Sequence, residues 1–247
     1  MRIMCVGDSM TIGTAGAVTW RFRLWQHLRA TYESPYRFVG PRRALHDILQ
    51  DTPSSYDYGD PDFPEDARGH LAGWGEGWLH MAPLIEDAIR DHEADTLLVS
   101  LGLIDLGFYT NAEQTAENVR RFVAAAREAE PHVRAVLMPV IRNVRAATDA
   151  AFAAQRERFN ELLAKAVADL STPSSPLLLA SEPPAWSIET ATYDGTHPSA
   201  LGEHLLAGAF AEAMQQGWGI GGRYAYPDTH TGTGPHRNGS PTPAGAA

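Results

Sequence analysis

The chain has 247 residues, with 30 acidic against 20 basic side chains and a formal charge of −10. That length suits one α/β domain, and the acidic balance argues against a nucleic-acid groove or an anionic membrane surface as partner. The single cysteine excludes an internal disulfide, and no stretch approaches the ~20 apolar residues of a membrane span.

Residues 2–6 form an apolar run read as the first strand, with Cys5 as a small buried hydrophobe in it. Helical spacing follows over 20–31, through Trp20, Leu24, Trp25 and Leu28, and 36–39 reads as a short second strand. Residues 40–73 are rich in Pro, Asp, Tyr and Gly and are expected to form a long loop of the kind that carries function. The helical period returns over 78–90, and 96–101 is a buried-strand run that ends at Gly102. Thr110-Asn111-Ala112-Glu113 has the pattern of a capping box opening a helix to about Ala129. A strand over 133–140, a long Ala-rich helix over 146–170, a short strand over 177–180 and a helix over 199–215 complete the pattern. Alternating strands and helices predict a mainly parallel sheet covered on both faces, a three-layer α/β/α sandwich. The domain is expected to span residues 1–216. Residues 217–247 read as a polar tail, disordered over 227–247, where His230 and His236 are solvated rather than metal-binding.

Gly7-Asp8-Ser9 follows the first strand directly, and Asp194-Gly195-Thr196-His197 lies just before the last helix. A serine where a strand ends is presented at the carboxyl edge of the sheet, where open α/β folds place ligands. Its hydroxyl is a poor nucleophile alone and needs an imidazole base with an orienting carboxylate. Asp194 and His197 offer both groups. Order and placement of the two motifs resemble those of the GDSL/SGNH hydrolases, over roughly residues 2 to 215, with the three-layer, flavodoxin-like fold that this implies. The resemblance makes Ser9 the nucleophile, its own backbone N–H an oxyanion donor, His197 the base and Asp194 the orienting acid. It also makes Gly73, in Gly69-His70-Leu71-Ala72-Gly73-Trp74, a second backbone donor to the oxyanion.

One block departs from that pattern. Where the family has Gly-x-Asn-Asp, this chain reads Gly102-Leu103-Ile104-Asp105, so Ile104 stands at the position of an asparagine that donates to the oxyanion. Loss of one such donor typically costs about 10²–10³ in rate. Two repairs are open: a carboxamide from elsewhere, such as Asn143, or a drier site suited to an acceptor other than water.

The resemblance implies a serine-dependent hydrolase of an ester or thioester, acting through an acyl-serine intermediate. Acyl transfer or cyclisation of a biosynthetic acyl intermediate is the alternative, and a non-catalytic acyl-ligand-binding protein is the reading outside catalysis. Trp74, Trp78 and Tyr109 would suit either stacked sugars or an acyl chain. No cofactor or metal is expected, because the histidines lack paired ligand spacing; His70 and His80 read as loop and helix-surface residues. The expected partner is a small-molecule acyl ester or thioester. No leader run precedes the first strand, so the expected location is cytoplasmic. The oligomeric state has no signature here.

Overall fold

The computed structural model describes residues 1–227. In chain order the elements are β1 (Arg2–Gly7), α1 (Ser9–Ile12), α2 (Trp20–Thr31), β2 (Arg37–Phe38), β3 (Leu45–Asp47), β4 (Thr52–Ser55), β5 (Leu71–Ala72), α3 (Trp78–Met81), α4 (Ile85–His92) and β6 (Thr96–Ser100). They continue with α5 (Ala112–Ala129), β7 (Arg134–Met138), α6 (Val144–Thr148), α7 (Ala150–Leu170), β8 (Leu177–Leu179), α8 (Ile188–Ala191) and α9 (Ala200–Trp218). Five strands pair in the order β2-β1-β6-β7-β8, every pair parallel. The short β5 joins the free edge of β1 beyond β2, at Val6 and Gly7.

Successive residues of a strand face opposite ways, so a parallel sheet can fill two cores at once. Met4, Val6, Leu97 and Val99 pack on one side with Ile85, Phe122, Phe159 and Leu163 of α4, α5 and α7. Ile3, Cys5, Leu98 and Val136 pack on the other with Trp20, Leu24, Leu206 and Phe210 of α2 and α9. The three-layer α/β/α sandwich is therefore present. Cys5 is fully buried, and that burial pushes its thiol up to about 12.

Several elements differ from the sequence reading for local reasons. The run 78–90 breaks into α3 and α4 at Pro83, whose missing N–H and ring clash interrupt a helix. The run 146–170 divides at Asp149, whose carboxylate accepts from Ala151 and Phe152 N–H and starts α7 afresh. Asn111, not Thr110, caps α5, accepting from the Gln114 N–H at 2.9 Å. The expected loop over 40–73 contains the antiparallel hairpin β3–β4, a 3₁₀ turn at Glu65–Ala67 and β5. The boundary expected at 216 falls inside α9, and Ile220 and Tyr224 beyond it are buried against the domain. The tail expected over 227–247 lies, but for its first residue, outside the described residues.

Two side chains tie the layers together from a distance. Glu203 of α9 is buried and accepts from the Trp20 N–H, capping α2, whose own N-cap Thr19 makes no side-chain bond. Burial holds the Glu203 carboxyl well above the usual carboxylate range, against the opposing pull of the Trp20 N–H and nearby arginines. Arg21 is fully buried without a carboxylate ion-pair partner among the described residues. Its guanidinium donates to Thr11 O (2.9 Å), Ile12 O (3.2 Å), Arg68 O (3.2 Å) and Tyr58 Oη (3.2 Å). Two of these acceptors are carbonyls at the end of α1, where a helix lacks internal donors. Arg21→Lys keeps the charge but loses the planar fork, leaving buried carbonyls unpaired. It should lower unfolding stability by roughly 2–4 kcal/mol in urea titration.

Candidate active site

The site lies at the carboxyl edge of the sheet. β1 ends at Gly7, and the chain turns at once into α1 with Asp8 as its N-cap. Gly7 is required for that turn, since a Cβ there would overlap the Thr11 side chain and lie 3.0 Å from the Ser100 carbonyl. Ser9 is therefore the first residue of α1, and its N–H has no acceptor within the helix. Its side chain opens into a cleft of about 380 Å³.

His197 and Asp194 approach from the loop between α8 and α9. Asp194 Oδ1 accepts from the N–H groups of Thr196 (2.9 Å) and His197 (2.7 Å), folding the loop on itself. Gly195 sits at φ 88°, and a Cβ there would strike Val144. With the backbone held, Asp194 Oδ2 lies 2.7 Å from His197 Nδ1, and His197 Nε2 lies 2.9 Å from Ser9 Oγ. A proton on Nδ1 facing the carboxylate leaves Nε2 free to accept from the serine hydroxyl. Burial works to raise the Asp194 carboxyl, but the hydrogen bonds from His197 and Thr196 outweigh it and hold the group below its usual value. The structure thus brings Ser9, Asp194 and His197 into one hydrogen-bonded line.

The imidazole is also flanked by rings. Trp74 stacks on His197 at 4.8 Å and 18°, and Tyr193 stacks on it at 5.8 Å and 19°. His46 stacks on Trp74 at 4.4 Å. Trp74, expected to contact an acyl chain or a sugar, lines the cleft and does so stacked on His197. Trp78 is instead fully buried, edge-on to Phe122 at 5.1 Å, and takes no part in the cleft. Tyr109 is exposed and packs on His80. His70, expected on a loop surface, is fully buried, its Nδ1 accepting from the Ala72 N–H.

Gly73 requires a correction. Its N–H donates to Gly7 O at 3.1 Å, extending the β1–β5 pairing, so this donor is spent on the sheet edge. Close packing accounts for the glycine, since a Cβ would run into the Arg42–Glu76 ion pair behind it. Trp74 and Gly75, the next two residues, line the cleft instead. Ile104 lines it as well, together with Leu103, Phe108 and Phe152, which makes part of its lining apolar. Asp105 turns away: fully buried, it accepts from the N–H groups of Trp78 (2.8 Å) and Leu79 (3.0 Å) and caps α3. Asn143 was named as an alternative donor, and it also faces the cleft, as N-cap of α6. Among the described residues there is no cluster of three or more His, Cys, Asp or Glu side chains placed to hold a metal. No helix among them is long and apolar enough to cross a membrane.

A parallel α/β/α sandwich with a serine, a histidine and an aspartate aligned at its carboxyl edge has the architecture of the acyl hydrolases. The chain belongs to the GDSL-like lipase/acylhydrolase family, whose model matches residues 5–205. It is accordingly an enzyme of the hydrolase class. Comparison with curated proteins found no significant match. Among solved structures it is similar to an acetyl esterase mutant with acetate ion, at 22% identity over 87% of this chain and 97% of that one, TM-score 0.69. A carbohydrate esterase family 3 protein from Talaromyces cellulolyticus is similar at 22% identity, TM-score 0.70, with the same coverage. The Clostridium thermocellum family 3 carbohydrate esterase follows at 18% identity over 87% of this chain and 96% of that one, TM-score 0.67. At these identities the likeness establishes a shared fold.

Asp8 generates a prediction of its own. Its carboxyl is buried beside Ser9 and pushed up to about 7, mainly by burial, with the Met10 N–H opposing and the Asp105 charge adding to the rise. The ordinary unfolded value is 3.8. Between the two values the folded state holds a proton that the unfolded state has lost. This group's contribution to stability therefore falls as pH rises from about 4 to about 7, by up to roughly 1.4 kcal/mol per unit. Asn at this position keeps an oxygen for the Met10 N–H and cannot ionise. Asp8→Asn should unfold at higher urea than wild type at pH 8, with the difference shrinking towards pH 4.

Proposed function

We propose that the protein hydrolyses an ester of a short acyl group through a covalent acyl-Ser9 intermediate. The observation that carries this reading is the continuous line from Asp194 Oδ2 through His197 to Ser9 Oγ, with the serine facing an open cleft. Ser9 Oγ attacks the ester carbonyl carbon as its proton passes to His197 Nε2, and the carbonyl π pair moves onto oxygen. The Ser9 N–H, unused within α1, is the backbone donor to that oxyanion. Collapse expels the alcohol, which takes the proton from His197. Water then repeats the sequence on the acyl-serine, releasing the acid and restoring the hydroxyl. Asp194 holds the imidazole tautomer and balances its charge throughout.

The acyl group belongs against Leu103, Ile104, Phe108 and Phe152, the apolar side chains that line the cleft. The acetyl and carbohydrate esterases among the similar structures support a short acyl group on a sugar-like alcohol. That same apolar lining, with Ile104 where the family carries asparagine, favours acyl transfer to an acceptor other than water as the second reading. No cofactor or metal is invoked in either case.

The test is mass spectrometry after exposure to a fluorophosphonate and to a panel of 4-nitrophenyl and thiol esters, with product analysis in the presence of added alcohols. A single adduct on the peptide bearing Ser9 is expected. Ser9→Ala should fold normally, take no adduct, and lose at least about 10⁴-fold in turnover, since nucleophile and base act as a unit. Undiminished turnover in Ser9→Ala would exclude the covalent route.

A further inference from the structure

Resting on the serine reading above, we infer that the Asn143 carboxamide is the side-chain donor to the oxyanion, taking the part that Ile104 cannot play. Asn143 follows β7 rather than β6, so its amide comes from the neighbouring strand end. It is 6% exposed and lines the same cleft as Ser9, Ile104 and His197.

Its orientation is fixed by what it caps. Asn143 Oδ1 accepts from the Ala146 N–H at 3.0 Å, at the start of α6. Only an oxygen can meet that donor, so the amide cannot flip, and its NH₂ must point the opposite way. Among the described residues Nδ2 meets no acceptor, yet it is not among the sealed polar atoms left without a partner. A nearly buried NH₂ without a protein acceptor, on a residue that lines the same cleft as Ser9, is what an oxyanion donor requires before substrate arrives. Cap and donor are two ends of one amide.

The flanking residues hold this segment in place from both sides. The Val144 N–H donates to Gly195 O at 2.7 Å, joining it to the loop that carries Asp194 and His197. Arg145 Nη1 donates to Gly107 O at 2.8 Å, joining it to the π-helical turn Asp105–Tyr109 that follows Ile104. Asn143 is thus tied to the base loop and to the altered block together. During attack, when the π pair of the carbonyl moves onto oxygen and the serine proton onto His197, Nδ2–H donates a hydrogen bond to that oxygen. It exchanges no proton and forms no covalent bond.

Serine and aspartate cap helices about as well as asparagine. A merely structural Asn143 would therefore tolerate both, whereas an oxyanion donor tolerates neither. With 4-nitrophenyl acetate as probe, Asn143→Ser should lower kcat by about 10²–10³-fold with KM within about threefold, at an unchanged melting temperature. Asn143→Asp should be slower still, because it sets a carboxylate against the developing negative charge. Fluorophosphonate should still label Ser9 in both variants, though more slowly. A rate within threefold of wild type in either labelled variant would overturn this role while leaving the acyl-serine reading intact. So would a loss accompanied by a fall in melting temperature of several degrees, which would reduce Asn143 to a cap. Failure of wild type itself to label or to hydrolyse any ester would overturn the acyl-serine reading and this inference with it.

Discussion

The Arg21 guanidinium is the constraint on which the rest of the site depends. A buried cation without a carboxylate is costly, and this one persists because its donors meet carbonyl and hydroxyl oxygens on three separate segments. Tyr58, one of the acceptors, donates in turn to Arg43 O at 2.8 Å, so the network extends through the segment 40–73. The short helix bearing Ser9 cannot hold itself, since four residues make too little helix to be stable alone. It is held at its start by Asp8 and at its end by Arg21. The segment 40–73 and the one-turn helix that begins with Ser9 are thereby fastened to each other.

The chemistry follows from a gradient of solvation across the site. Ser9 is buried, His197 is partly covered, and Asp194 is exposed along much of its side chain. In the proposed reaction, charge that develops on the imidazole is met by a carboxylate in contact with water, and charge that develops at the carbonyl is met inside the protein. The two demands are separated in space. The apolar side chains that line the cleft lower the polarity of the second region, which strengthens each hydrogen bond to an oxyanion.

What the sequence disclosed and what it withheld divide along physical lines. Strand alternation and helical period exposed the parallel sheet, because β1, β6 and β7 bury nearly every residue and leave no ambiguity of face. The motifs around Ser9 and around Asp194 and His197 were legible because each is a short-range device, a glycine turn or a self-bonded aspartate loop. Long-range devices left no such mark. The Glu203 cap on α2, 183 positions away, depends on the packing of α9, and nothing in its surroundings in sequence announces it. Gly73 was misread for the same reason: its glycine is explained by Arg42 and Glu76, and whether its N–H faces the cleft or the sheet edge is decided by β5 pairing with β1. The breaks at Pro83 and Asp149 were visible in principle, a proline and a cap residue inside apolar periodicity that was followed too far.

The ring stack around His197 bears on motion. The Trp74 and Tyr193 rings both stack on the imidazole, and His46 stacks on Trp74, so turning the His197 ring breaks these contacts. In the proposed reaction, part of the rotational freedom that the serine–histidine pair would give up at each encounter with substrate is already given up during folding. That part of the ordering cost falls on the stability of the chain rather than on the barrier to reaction.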